Sequence, residues 1–473
     1  MPAPAAVCPI HRHAQARPDA LALWTPDRRW TYAELDAAVA ATAARLRDLE
    51  GDPKEAVALR LRRGAEVVLL LWALWRTGRV AMPLSTRWPS AKVRAATRQR
   101  DAGCLVTREA SLLGAETDVE AFPPDQIVRQ EGGRGVPNPD GQVLQRRATL
   151  VYTSGSTGAP KGVLHSWANH LYSAKGANAN LPLGPGDRWL LSMPLYHVGG
   201  LAILVRCALV GAAVAVPEAD ASLAASLEAS GATHLSLVAT QLRRLLEARE
   251  PLPPWVRGVL LGGGPLPDAL LRRGHARDWP LHTSYGSTEM ASQITTTPPG
   301  APLDALRTAG CCLPHRRVRT DEAGEILVAG RSLCVGVVED DGLRDPRTNG
   351  WYHTGDLGRI DAQGRLHVQG RTDRQFVSGG ENIQPEEIEA ALEQVEDIDR
   401  AVVVPVPDAE YDRRPVAFVR AQTGGIPENW RASLTDTLPR FKHPDAVYEL
   451  PAAAVESQMK VDRDILREWA RDR

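Results

Sequence analysis

The sequence predicts an α/β protein with a large N-terminal domain and a small C-terminal α+β domain on a hinge. Three observations carry that expectation. Short, mostly apolar stretches (Val67 to Trp75, Ala148 to Tyr152, Trp189 to Leu191, Leu235 to Val238, Val259 to Leu261) read as strands, because Gly, Ser, Thr or Pro soon follows each and helix-like segments alternate with them. Alternation of this kind builds helix layers on a sheet. From about Gly324 the texture changes to hairpin-like pieces, GEILVAG and GRIDAQGRLHVQG, then a helix from Pro385 and the strand-like AVVVPV and VAFVRA. Finally, 473 residues exceed what one domain of ~150 residues holds.

The clearest helix start is at Thr31, which has Glu34 three residues later and apolar positions at helical spacing up to Leu49. The joint falls near Gly370 to Arg374 and divides the chain into residues 1–372 and 373–473. With 43% hydrophobic and 24% charged residues, and 36 Pro and 40 Gly dispersed rather than in tracts, the chain is globular; disorder, collagen and coiled coil are excluded. Lys and Arg total 56 against 57 Asp and Glu, so no positive field exists to hold nucleic acid or an anionic membrane. Six scattered cysteines without a C-x-x-C pair, and a first twenty residues without the profile of a signal peptide, point to the reducing cytoplasm. Val67 to Trp75 is too short to span a membrane, and Leu201 to Val216 falls short of ~20 residues and contains Arg206.

Chemistry concentrates first in Tyr152-Thr-Ser-Gly-Ser-Thr-Gly-Ala-Pro-Lys161-Gly162. Hydroxyls, glycines and one lysine make a collar of donors suited to phosphate oxygens. It is not a P-loop, since Pro160 and Gly162 stand where that motif has Gly and Ser or Thr. Together with Tyr285-Gly-Ser-Thr-Glu289, Tyr352-His-Thr-Gly-Asp356, Gly370-Arg371-Thr-Asp373 and Lys460, in this order, it makes the chain resemble the adenylate-forming superfamily of acyl- and aryl-CoA synthetases, peptide-synthetase adenylation domains and luciferases. The likeness runs from about residue 20 to the C-terminus and implies that superfamily's fold.

The resemblance also implies roles. Thr153, Ser154, Gly155, Ser156, Thr157, Gly158 and Lys161 would hold the departing phosphates of ATP. Tyr285 would stack on adenine beside Gly263, with Ser284 and Gly286 alongside. Thr288 would bond the α-phosphate, and Glu289 would hold Mg²⁺, which prefers hard oxygen ligands. Asp356 would accept the ribose hydroxyls, with Arg371 near ribose and phosphate. Lys460 would sit between substrate carboxylate and α-phosphate as the catalytic lysine, although Met459 precedes it where the superfamily has a small residue. Ser378, Gly379 and Gly380 would border the coenzyme A channel, exchanged for Lys460 by a swing about Asp373.

Within the superfamily, Trp167-Ala-Asn-His170, Pro194-Leu-Tyr-His197 through Arg206, Thr233-His-Leu-Ser236, the Ser378 to Pro385 run and Arg414-Pro-Val-Ala resemble the o-succinylbenzoate–CoA ligases of menaquinone biosynthesis. Arg206 supports this independently, since a guanidinium within an apolar run needs an anionic partner, and o-succinylbenzoate carries a second, aromatic carboxylate. His197, Arg206, Ser236, Gly263 and Gly286 would then line the acid pocket, His197 also controlling access of the thiol. The implied partners are a small carboxylic acid, ATP and coenzyme A, with self-assembly left open. Competing readings are a CoA ligase for another acid and a carrier-loading adenylation module, the latter disfavoured because no carrier sequence follows Arg473.

Overall fold

The computed structural model describes residues 5–6, 8–48, 56–100, 102–113, 119–131, 142–154, 160–248, 251–339, 342–421, 425–427, 429–435, 437–455 and 461–471. Two large sheets dominate the N-terminal part. The first has eight strands, in spatial order Gly342–Arg344, Gly336–Glu339, Pro160–Ser166, Arg147–Ser154, Val80–Pro83, Ala56–Arg60, Ala102–Thr107 and Ala121–Phe122. The second has nine: Cys311–Cys312, Ser292–Thr296, Leu281–Ser287, Gly258–Leu261, His234–Leu237, Arg188–Leu190, Ala213–Ala215, Leu21–Trp24 and Arg29–Thr31. Its central strands are parallel and buried on both faces, which is why Leu235–Leu237 and Val259–Leu261 are continuously apolar or small in sequence.

Helices fill the space between the sheets. One buried cluster joins Val57, Ala81 and Val151 of the first sheet and Leu23, Trp189 and Val214 of the second to helices Tyr32–Arg47, Ala65–Thr77, Trp167–Asn180 and Val198–Val210. Tyr32–Arg47 begins with the expected capping box: Thr31 Oγ1 accepts from the Glu34 amide at 3.2 Å, and Glu34 Oε2 from the Thr31 amide at 2.7 Å. The stretch Val67 to Trp75 is a correction to the sequence reading. It is the middle of helix Ala65–Thr77, closed by Gly78 in the left-handed conformation at φ 79°. Every residue from Val67 to Arg76 is buried, so no polar stripe reveals the 3.6-residue period, and a helix buried all round looks like a buried strand. Leu201 to Val216 divides into helix Val198–Val210 and strand Ala213–Ala215, and among the described residues no helix is long and apolar enough to cross a membrane.

A five-stranded sheet built on Glu325–Gly330 and Trp351–Ile360 follows. From Phe376 onward the chain makes its own cores: two buried clusters draw only on residues 376 to 470, around the strands Ile398–Asp408, Asp412–Ala421 and Ala446–Glu449 and the helices Pro385–Leu392 and Arg463–Arg471. Arg243 of helix Ala239–Glu247 reaches this part and pairs with Asp399 at 2.8 Å.

Candidate active site

The second sheet brings the expected nucleotide residues to one edge, at the carboxyl ends of its parallel strands, where α/β sheets bind ligands. Strand Gly258–Leu261 runs into Gly262 to Gly264, and Gly263 takes φ +83°, a conformation natural to glycine. The neighbouring strand Leu281–Ser287 presents Ser284, which donates to the Leu261 carbonyl at 2.8 Å, and Tyr285. Gly286 lies at a bulge; a Cβ there would stand 2.3 Å from the Ser292 carbonyl oxygen. Tyr285 donates to Asp356 Oδ2 at 2.5 Å, and Arg371 Nη1 to Asp356 Oδ1 at 3.1 Å. Burial raises the Asp356 pKa, against the pull of these two donors; the Tyr285 pKa is raised by burial and by the facing carboxylate. Arg371 turns its Nε and Nη2 to Asp373, at 2.9 and 3.1 Å.

On the phosphate side, strands Arg147–Ser154 and Pro160–Ser166 pair as a hairpin around the donor-rich loop. Lys161 Nζ rests 3.1 Å from Glu339 Oε1, and Thr153 Oγ1 donates to the Lys161 carbonyl at 3.5 Å. Thr288 and Glu289 open a tight turn in which two non-glycine residues have positive φ, Ala291 at 53° and Ser292 at 114°. Such strain persists only where surroundings impose it. Ser173 Oγ donates to the Ala291 carbonyl at 2.7 Å, and His165 Nε2 lies 2.7 Å from the Thr288 carbonyl.

The His165 contact fixes a proton arrangement. A carbonyl only accepts, so His165 carries its hydrogen on Nε2, and Nδ1 accepts from Thr149 Oγ1 at 3.3 Å. Thr149 Oγ1 then accepts from His170 Nε2 at 2.7 Å. Burial lowers the His165 pKa to about 4 and that of His170 well below normal, keeping both neutral. The turn is thereby tied to both strands of the phosphate hairpin.

Glu289 is half-buried, makes no ion pair among the described residues, and lies near enough to the Tyr352 phenol to raise its pKa, second to burial. A carboxylate free of cationic partners beside a threonine hydroxyl is a donor set that fits Mg²⁺.

The residues expected to receive the acid gather around Arg206 of helix Val198–Val210. Its side chain is 2% exposed; Nη2 donates to Gln293 Oε1 at 2.5 Å, and the guanidinium lies 4.4 Å from the Trp189 ring centroid. Nε and Nη1 are buried with no hydrogen-bond partner among the described residues, and burial lowers the pKa to about 10. No carboxylate among the described residues pairs with it, and the helix face that carries it is buried rather than exposed. Trp189 also stacks on His234, ring centroids 5.2 Å apart, and its Nε1 donates to Ser236 Oγ at 3.2 Å. His197 sits just before the same helix against Tyr196, ring centroids 4.7 Å apart, its pKa lowered by burial and by Arg87.

Other expected residues stand apart. Ser378 is buried and accepts from Arg414 Nη1 at 3.4 Å, while the Gly379 amide donates to the Tyr411 carbonyl, so this loop packs within the small domain. Gly379 and Gly380 have φ +57° and +86°. The side chain of Ser154, and Gly155, Ser156, Thr157, Gly158 and Lys460, lie outside the described residues. Sequence reasoning missed His165, Trp189, Gln293, Glu339 and Tyr352. Tyr352 lay inside one of the motifs above and could have been found; the other four carry no local signal, since each meets its partner on a separate element: His165 the Thr288 carbonyl, Trp189 and Gln293 the Arg206 guanidinium, and Glu339 the Lys161 ammonium.

Comparison with known proteins bears on this geometry. Residues 10–337 match the AMP-binding enzyme family and residues 387–456 the AMP-binding enzyme C-terminal domain. The 2-succinylbenzoate–CoA ligase of Bacillus cytotoxicus is 33% identical over 97% of this chain and 98% of its own; that of Listeria monocytogenes serotype 4b is 32% identical over 97% and 98%. Among solved structures, o-succinylbenzoate CoA synthetase (MenE) of Bacillus subtilis in complex with the acyl-adenylate intermediate OSB-AMP superposes with TM-score 0.88 at 29% identity, covering 98% of each chain. The same enzyme in complex with ATP and magnesium ion gives TM-score 0.84 at 30% identity, covering 94% of this chain and 96% of that one. Family models cover both parts of the sequence, and the matched region contains the Tyr285 and Lys161 clusters: the chain belongs to the AMP-binding enzyme family, with the adenylate-forming fold of a large N-terminal and a small C-terminal domain.

Proposed function

We propose that this chain is an o-succinylbenzoate–CoA ligase of menaquinone biosynthesis, acting in the cytoplasm as an acid–thiol ligase. An oxygen of the succinyl carboxylate attacks the α-phosphorus of ATP, the bond to the β-phosphate oxygen breaks, and pyrophosphate leaves. The sulfur of coenzyme A then attacks the acyl carbon, and AMP departs. Tyr285, Gly263 and Asp356 receive the nucleoside, Lys161 and the 153–158 loop the phosphates, and Thr288 the α-phosphate. Mg²⁺ held by Glu289 supplies charge neutralisation on the phosphates. Lys460 offsets the repulsion between carboxylate and α-phosphate in the first step. Residues 1–372 and 373–473 act as the two bodies, and rotation about Asp373 exchanges Lys460 for Ser378 to Gly380.

Arg206 is the observation that carries the substrate assignment. A buried guanidinium with two unpartnered nitrogens is costly until an anion meets it, and the aromatic carboxylate supplies that anion, in keeping with the relatives' own substrate. Pyrophosphate release should be fastest with o-succinylbenzoate in a panel with benzoate and a fatty acid. Arg206→Ala should raise the KM for o-succinylbenzoate by one to three orders of magnitude, ~1.5–4 kcal/mol for a lost charge-assisted contact, with the KM for ATP nearly unchanged. The analogue 4-oxo-4-phenylbutanoate, which lacks the aromatic carboxylate, should bind poorly to wild type and ignore the substitution. An equal loss for both acids would overturn the assignment.

A further inference from the structure

We infer that Gln293 is a positioning residue for substrate choice: its neutral carbonyl anchors the Arg206 guanidinium without neutralising it, which leaves the charge to the substrate. The inference rests on the o-succinylbenzoate reading of the pocket. Gln293 lies in strand Ser292–Thr296 and is 4% exposed. Its amide has only one consistent orientation. Nε2 donates to Thr296 Oγ1 at 2.7 Å, and that hydroxyl passes its own hydrogen to the Thr295 carbonyl at 2.6 Å, so Oε1 must face Arg206 Nη2 at 2.5 Å.

The backbone at the same position is held as firmly. Gln293's carbonyl accepts from Arg316 Nε at 2.5 Å, and Arg316, itself buried, also donates to the Ser173 carbonyl at 2.9 Å and the Pro314 carbonyl at 2.9 Å. Gly176 leaves the room this requires, since a Cβ there would be 2.1 Å from Arg316 Nη1. Arg206 is thus fixed at one nitrogen by Gln293 and on one face by Trp189, with Nε and Nη1 left as its unpartnered donors. A glutamate of nearly the same shape would convert this arrangement into an internal ion pair, which is the commoner fate of a buried arginine. The amide therefore determines whether the pocket attracts a carboxylate.

The experiment compares kcat/KM for o-succinylbenzoate and 4-oxo-4-phenylbutanoate in three variants. Gln293→Glu should lower the ratio of the two by about tenfold or more, through a raised KM for o-succinylbenzoate alone, and the ligand-free protein should melt at a higher temperature because the guanidinium gains a partner. Gln293→Met, which removes the acceptor without adding charge, should lower the ratio by about threefold. A purely structural residue would depress both substrates equally and reduce the melting temperature, and that result overturns the inference. If Gln293→Glu does not fold, an unchanged ratio in Gln293→Met overturns it instead. Arg206→Ala separates the two levels: if it discriminates the acids and the Gln293 variants do not, the positioning role fails alone, whereas if it does not discriminate, the substrate reading fails.

Discussion

Tyr285 and Asp356 are joined directly, phenol to carboxylate, at 2.5 Å. On the proposed reading, the aromatic platform for a base and the acceptor for a ribose are therefore one hydrogen-bonded unit. Each Asp356 oxygen keeps lone pairs for ribose hydroxyls while one hydrogen bond fixes its direction. Burial works against the charge on Asp356, and its two donors maintain it.

Tyr285→Phe keeps the ring and removes the donor. We expect the KM for ATP to rise about three- to tenfold with a smaller change in kcat, as for one lost hydrogen bond to a charged group. Without the phenol the Asp356 pKa rises further, so the acid limb of kcat/KM for ATP should move to higher pH. A pH profile of adenylation measures this; an unmoved limb would mean the phenol does not support the carboxylate.

Lys161 is paired with Glu339 at 3.1 Å, in a pair of which both partners are partly exposed. Such pairs are worth at most ~1 kcal/mol, so Glu339→Gln, which releases the lysine, should lower the KM for ATP by no more than about fivefold. Lys161→Met should raise it by tenfold or more, because the phosphate partner is lost. Isothermal titration with a non-hydrolysable ATP analogue distinguishes these effects.

His165→Gln can keep a donor to the Thr288 carbonyl but cannot ionise. Burial lowers the His165 pKa to about 4 from 6.5, so its contribution to stability is complete above pH 6.5 and is lost as pH falls from there through about 4. Across that window the advantage of wild type over His165→Gln should shrink, by up to ~1.4 kcal/mol per pH unit. Groups common to both proteins cancel in the difference, which urea melts at several pH values would give. A constant difference would show that His165 does not enter the folded state neutral.

Lys460→Ala should abolish adenylate formation and spare thioester formation from supplied acyl-adenylate, because the proposed role of the lysine is confined to the first transition state. Asp373→Pro should do the reverse, because a fixed φ at the pivot blocks the swing, and adenylate should accumulate on the enzyme. Single-turnover assays of each half-reaction test both; equal losses in the two halves would refute the division of labour.

What could be read in the sequence follows physical rules. Thr31 and Glu34 announce their helix because capping is a contact between residues three apart. Arg206 was legible because a charge inside an apolar run is itself an anomaly. Val67 to Trp75 misled because complete burial erases periodicity. His165 and Gln293 were silent because their meaning lies in carbonyls and guanidiniums brought to them by the tertiary fold, 123 and 87 residues away along the chain.

The fork of Arg371 has a consequence for timing. One guanidinium holds the Asp356 carboxylate with Nη1 and the Asp373 carboxylate with Nε and Nη2. A torsion at residue 373 that turns its carboxylate away releases two donors beside the nucleotide, and a nucleotide that draws on those donors releases the pivot in return. If, as proposed, Asp356 takes the ribose and Asp373 is the pivot, occupancy of the nucleotide site and freedom of the joint draw on the donors of one side chain.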